Sequence, residues 1–202
     1  MNFNTEYLNR LHSKKIRNDK IKIKFELIYK KKFKKNFNRY QNYIKFLKTN
    51  KKKYYHPIRV AYYLFFFKKK INLKNVNLAL FHNYFELNLK NDQIFNSSID
   101  KNKKKDLKIL KINKLKRWDK IYLKKYYRKL KSASDEAKLI KCIDKLDNLF
   151  NLKKNQDLKI KKIYLWEVEK YVLPLSLTVS KKIHFFLNKI YLYNLDLINA
   201  KL

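Results

Sequence analysis

Three runs of consecutive lysine, Lys51-Lys52-Lys53, Lys68-Lys69-Lys70 and Lys103-Lys104-Lys105, carry the clearest chemistry in this chain. An ammonium group is a point charge for phosphate, and seating it on a nucleic acid releases condensed counterions. Lys74 extends the second run, and the first leads into Tyr54, Tyr55 and the turn His56-Pro57-Ile58-Arg59. Arg59 is one of six arginines against 46 lysines, and its planar fork matches phosphate oxygens better than an ammonium does. The turn from His56 to Arg59 is therefore the first choice for an RNA contact. Tyr54, Tyr55, Tyr126 and Tyr127 sit among lysines and could stack on unpaired bases, with core packing claiming one member of each pair.

Catalytic chemistry is poorly served. His12, His56, His82 and His184 lie far apart, with no zinc-type spacing and no cysteine near them. Glu167 and Glu169 alternate as carboxylates on a surface do, and Cys142 falls on the apolar stripe of a helix as a small core residue. The chain has no glycine, so it has no glycine-rich phosphate loop. The expectation is a protein with no catalytic residue, no metal ligand and no cofactor, and hence not an enzyme.

Average usage would place roughly 14 glycines in a chain of this length. Their absence, with 46 lysines, 23 asparagines and only five alanines, follows A/T-rich codons and points to an organellar genome. The net charge of +36 exceeds what codon bias supplies, because the same bias supplies Asn as readily as Lys. Self-repulsion at this charge calls for a polyanion, with nucleic acid ahead of an anionic lipid surface. Disorder is excluded by a chain that is 46% hydrophobic and 16% aromatic. With a single cysteine no internal disulfide forms, which suits a reducing compartment. No secretory or Arg/Ser-rich transit pattern opens the sequence, consistent with synthesis inside the organelle. The longest uninterrupted apolar run, Val60 to Phe67, is too short to span a bilayer, so no membrane span is expected.

Periodicity supplies the elements that would position these groups. Ile21, Ile23, Phe25 and Leu27 alternate with Lys22, Lys24 and Glu26, as in a half-buried strand. Phe33, Phe37, Tyr40, Ile44 and Leu47 form a helical stripe, and a single long helix over 20–48 stays open as an alternative. Val60 to Phe67 suits a buried strand, and Tyr84 to Lys90 alternates again. Leu115, Trp118, Tyr122 and Tyr126 have helical spacing within 107–131, with Trp118 and Trp166 as anchors. Ser132 to Asp135 resembles a capping box ahead of a stripe through Leu139, Ile143, Leu146 and Phe150. Ile163 to Leu173 fits helix or strand equally. Ser180 caps a closing helix bearing Ile183, Phe186, Leu187 and Ile190, followed by an alternation at Tyr193, Leu195 and Leu197. Turns that glycine would build fall to His56, Asn91 or Asn194.

The order strand, helix, strand, strand, helix, strand is the split βαβ core of a ferredoxin-like α+β fold, interrupted by a mainly helical insertion. Residues 1–19 form an N-terminal extension, 20–95 with 176–202 the core, and 96–175 the basic helical insertion. Four stretches resemble the S-ten family of small-subunit ribosomal proteins: Lys20 to Lys24, Pro57-Ile58, Phe85-Glu86-Leu87, and Thr178 through Leu195-Asp196-Leu197 to Lys201-Leu202. His56 stands where the family has glycine, and Lys68 to Asn72 replaces its loop after the second strand. The resemblance implies a non-catalytic constituent of the mitochondrial small ribosomal subunit. Its loop between the second and third strands, here Phe67 to Asn83, would enter rRNA in the subunit head beside neighbouring head proteins. Two other readings stay open. One is a basic accessory or assembly subunit of a respiratory complex or ATP synthase, lying on the matrix side. The other is an all-helical RNA maturation factor.

Overall fold

Residues 18–49, 54–87, 93–152 and 157–199 are described by the structure, a computed structural model. Their helices are α1 (Asn18–Phe33), α2 (Phe37–Thr49), α3 (Tyr55–Phe67), α4 (Leu73–Leu80), α5 (Gln93–Ser98) and α6 (Lys101–Leu110). Then come α7 (Lys120–Leu130), α8 (Asp135–Leu152), α9 (Leu158–Glu167), α10 (Leu173–Val179) and α11 (Lys181–Asn199). Short 3-10 turns lie at Lys34–Asn36, Phe85–Leu87 and Lys114–Lys116, and a π-helical stretch, Val168–Val172, joins α9 to α10. No strand occurs among the described residues, so the expected ferredoxin-like α+β core is corrected to an all-helical fold.

The physical cause is visible in α1. Ile21, Phe25 and Tyr29 recur every fourth residue and are buried. Ile23 and Leu27, which completed the apparent alternation, are 55% and 65% exposed. Two apolar faces therefore coexist on one helix and only one is used. The chain turns at Lys34–Asn36, so 18–49 is neither strand-then-helix nor one unbroken helix. Val60 to Phe67 lies in α3, where Pro57 occupies the first turn and its missing N–H costs no internal bond. Phe85-Glu86-Leu87 is a 3-10 turn, and Tyr193 to Leu197 continues α11.

Other expectations hold. Leu139, Ile143, Leu146 and Phe150 are buried on α8, and Ile183, Phe186, Leu187 and Ile190 on α11. Ser180 precedes α11 directly. The cap of α8 shifts by two residues, since the Ser134 hydroxyl accepts from the Ala137 N–H at 3.2 Å. The stretch 107–131 breaks between α6 and α7, leaving Leu115 95% exposed, while Trp118 and Trp166 pack partly buried against the core.

Helix starts take Asn and Asp. Asn72, Asp100, Asn113, Asp119 and Asp157 each accept a backbone N–H in the following turn. Two of the three expected glycine substitutes do not build turns, since His56 lies in α3 and Asn194 is buried in α11; Asn91 falls outside the described residues.

α8 is the centre of the fold, packed by α3, α4, α6, α10 and α11. A helix surrounded on all sides is normally apolar all round. This one buries Lys141, Asp144, Lys145 and Asp147 beside Ile140, Cys142 and Ile143.

Candidate functional site

The buried charges of α8 are matched by groups from three other segments. Asp147 takes two hydrogen bonds from the Arg59 guanidinium of α3, at 2.7 and 2.9 Å. One turn earlier on α3, His56 Nδ1–H donates to Asp147 Oδ2 at 2.7 Å. The other nitrogen, His56 Nε2, lies 3.1 Å from Asp144 Oδ1 and 3.1 Å from His82 Nε2. His82 sits in the turn after α4, and its Nδ1–H donates to the Ala79 carbonyl at 2.7 Å. Asp144 also accepts from Lys141 Nζ at 3.1 Å and Asn148 Nδ2 at 2.9 Å. At the far side of α8, Lys145 Nζ donates to Glu167 Oε1 at 2.5 Å, and the Tyr127 hydroxyl donates to the same oxygen at 2.7 Å.

These partners set the protonation states. Burial opposes the His56 imidazolium, but hydrogen bonds to Asp144 and Asp147 outweigh it and push the pKa up to about 9. Burial, then the nearby His56 charge, pushes His82 down to about 4. Burial works against ionised Asp147, yet the hydrogen bonds from His56 and Arg59 hold its carboxyl below the usual range. The pair of histidines is thus one charged and one neutral ring sharing an Nε2–Nε2 contact.

Arg59 and His56, the first choice for an RNA contact, are partly buried and have their side-chain nitrogens engaged within the protein, by Asp147 and Asn18 for Arg59 and by Asp147, Asp144 and His82 for His56. Glu167, read as a surface carboxylate, is fully buried. Tyr126 and Tyr127 are both buried, which removes them as base-stacking platforms, whereas Tyr54 and Tyr55 are half-buried. Lys51, Lys52 and Lys53 lie outside the described residues.

The remaining lysines come together. Lys68 Nζ donates to Glu136 Oε1 at 2.6 Å, and Lys103 Nζ approaches Glu136 Oε2 at 3.9 Å. Lys74 pairs with Asp100 at 3.2 Å, at the start of the helix that carries Lys103, Lys104 and Lys105. Two runs separated by more than thirty positions in the sequence thus become neighbours. Lys69, Lys70, Lys74, Lys101 and Lys105 are exposed around this junction, and Lys104 Nζ lies 5.8 Å from the Phe95 ring centre. A second basic region covers α1 and α2, where Lys20, Lys24, Lys30, Lys31, Lys32, Lys34, Lys35 and Lys45 are all exposed.

Most described carboxylates are engaged within the molecule. Glu26 meets Lys22, Asp106 meets Lys103, Asp135 meets Lys138, and Asp119 and Asp157 cap helices. Among the described residues Lys74 pairs with Asp100, whereas Lys69, Lys70, Lys101 and Lys105 are exposed with no ion pair to a described carboxylate.

Sequence reasoning missed His82, Asp144, Asp147, Lys145 and Glu167. The available signal was the i, i+3 pair Asp144 and Asp147, set among Ile140, Cys142, Ile143, Leu146 and Leu149. No helix among the described residues is long and apolar enough to cross a membrane. No protein-family model matches the chain, and no curated protein matches it.

Proposed function

We propose that this chain is a non-catalytic, RNA-bound structural protein of an organellar ribonucleoprotein, with the mitochondrial small ribosomal subunit as its setting. The observation that carries the reading is the junction of Lys68–Lys70 and Lys74 with Lys101–Lys105, an exposed cationic region assembled from two distant segments. Lysines in such a region bind phosphate by counterion release and need no base-specific geometry. The S-ten resemblance adds no architecture to this reading, because the described parts of its expected strands are helix or turn here.

A second reading is favoured by one feature of α1. Ile23 and Leu27 are exposed among Lys20, Lys24, Lys30 and Lys31, the mixture that an anionic lipid surface or a matrix-side complex would accept. Sedimentation of organelle lysates separates the two. The ribonucleoprotein reading expects the protein to travel with small ribosomal subunits in moderate salt and to be released by ribonuclease. Migration with a respiratory complex or ATP synthase, indifferent to ribonuclease, would replace it with the accessory-subunit reading.

A further inference from the structure

His56, His82 and Asp144 converge from α3, the turn after α4, and α8, and the RNA reading makes no use of them. His56 Nε2 is 3.1 Å from His82 Nε2 and 3.1 Å from Asp144 Oδ1, and His82 Nε2 is 3.8 Å from the same oxygen. A point equidistant from these three atoms lies about 2.0 Å from each, the bond length zinc makes to imidazole nitrogen and carboxylate oxygen. The two ring centres are 5.0 Å apart at an interplanar angle of 65°, so both rings turn their Nε2 edges toward the shared space.

The outer contacts have the form that metal-binding histidines require. Each ring's Nδ1–H faces an acceptor, the Asp147 carboxylate for His56 and the Ala79 carbonyl for His82. That fixes both Nδ1 atoms as donors and leaves both Nε2 atoms aimed at one location. Two facing lone pairs repel, so the space between them takes a cation: a proton on one ring, or a metal ion shared by both. Asp147 is itself clamped by Arg59 through two hydrogen bonds, and Asp144 is steadied by Lys141 and Asn148.

We propose that His56, His82 and Asp144 form a three-ligand site for a divalent transition-metal ion of the zinc type. Two imidazoles and one carboxylate suit zinc and its neighbours over magnesium or calcium, which prefer all-oxygen shells. Three protein ligands leave a coordination position for water or an outside donor. The His56 side chain is 17% exposed, so its flank is the side from which an ion enters. Bound there, the ion ties α3, the α4 turn and α8 together.

The test uses the full chain, stripped with a chelator and then dialysed against zinc chloride. One zinc per chain is expected, with a rise in Tm. X-ray absorption of the zinc-loaded protein should show two imidazole ligands at about 2.0 Å. His82→Gln and Asp144→Asn should each abolish stoichiometric binding, and Asp147→Asn should weaken it about 10- to 100-fold through loss of the charged acceptor behind His56. Helical circular dichroism checks that each variant is folded. The absorption spectrum needs no variant, so the outcome stands even if a variant fails to fold. No zinc retained after dialysis, a shell with fewer than two imidazoles, or undiminished binding by folded His82→Gln would each overturn the site.

Discussion

Asp147 receives three charge-assisted hydrogen bonds, two from Arg59 and one from His56, while almost wholly excluded from water. A carboxylate so placed is stable only while its partners remain, because an unpaired buried charge bears its full desolvation penalty. Arg59→Ala is expected to cost about 3–5 kcal/mol in urea unfolding. Arg59→Lys keeps the charge but not the fork, and is expected to cost about 1.5–3 kcal/mol. The pair of variants also separates the two roles considered for Arg59. If both unfolded at the wild-type urea concentration yet bound RNA more weakly, the residue would be a phosphate contact after all. The sequence could not decide this. One of six arginines against 46 lysines draws attention to a position, but it does not say whether its carboxylate lies on another helix or its phosphate on another molecule.

At the level of the helix, legibility depended on how many sides of an element the fold covers. The stripes on α8 and α11 were readable because one apolar face stands out against polar neighbours. On α1 codon bias put isoleucine and leucine on the exposed face too, and the doubled pattern imitated a strand. On α8 the charged residues Lys141, Asp144, Lys145 and Asp147 lie off its apolar stripe, yet the surrounding helices bury them. The His56, His82 and Asp144 constellation was unreadable for a related reason: its members lie on three segments that only packing brings together. The Lys145 and Glu167 pair gives this a measurable form, since it links α8 to α9 at 2.5 Å with both side chains buried. Glu167→Leu strands the ammonium and is expected to lose about 3–5 kcal/mol. The double variant Lys145→Met with Glu167→Leu removes both charges and should recover most of that loss in a double-mutant cycle. Simple additivity of the two single changes would mean that the pair does not act as a unit.

Across the described residues most carboxylates are taken up by helix caps and ion pairs, some buried and some exposed, while most lysines lie on the outside of a chain of net charge +36. Such a surface attracts any polyanion at long range, so the question is whether contact is spread evenly or concentrated at the junction between the α3–α4 turn and α6. Salt dependence distinguishes these cases. For single-stranded RNA the slope of log K against log salt is about −0.7 per phosphate neutralised. Changing Lys69, Lys70 and Lys105 to alanine removes three exposed cations at the junction without touching Lys68, whose ammonium is tied to Glu136. The slope should become shallower by about 2 if all three seat on phosphate. A matched variant with Lys159, Lys162 and Lys170 changed to alanine carries the same net charge and alters exposed positions near α9. Fluorescence titration of a short labelled RNA with both variants, over a range of salt, then reads location directly. A junction-specific interface gives the large slope change in the first variant alone. Equal changes in both would mean that the charge acts as a uniform coat, and the junction would lose its standing as the binding site.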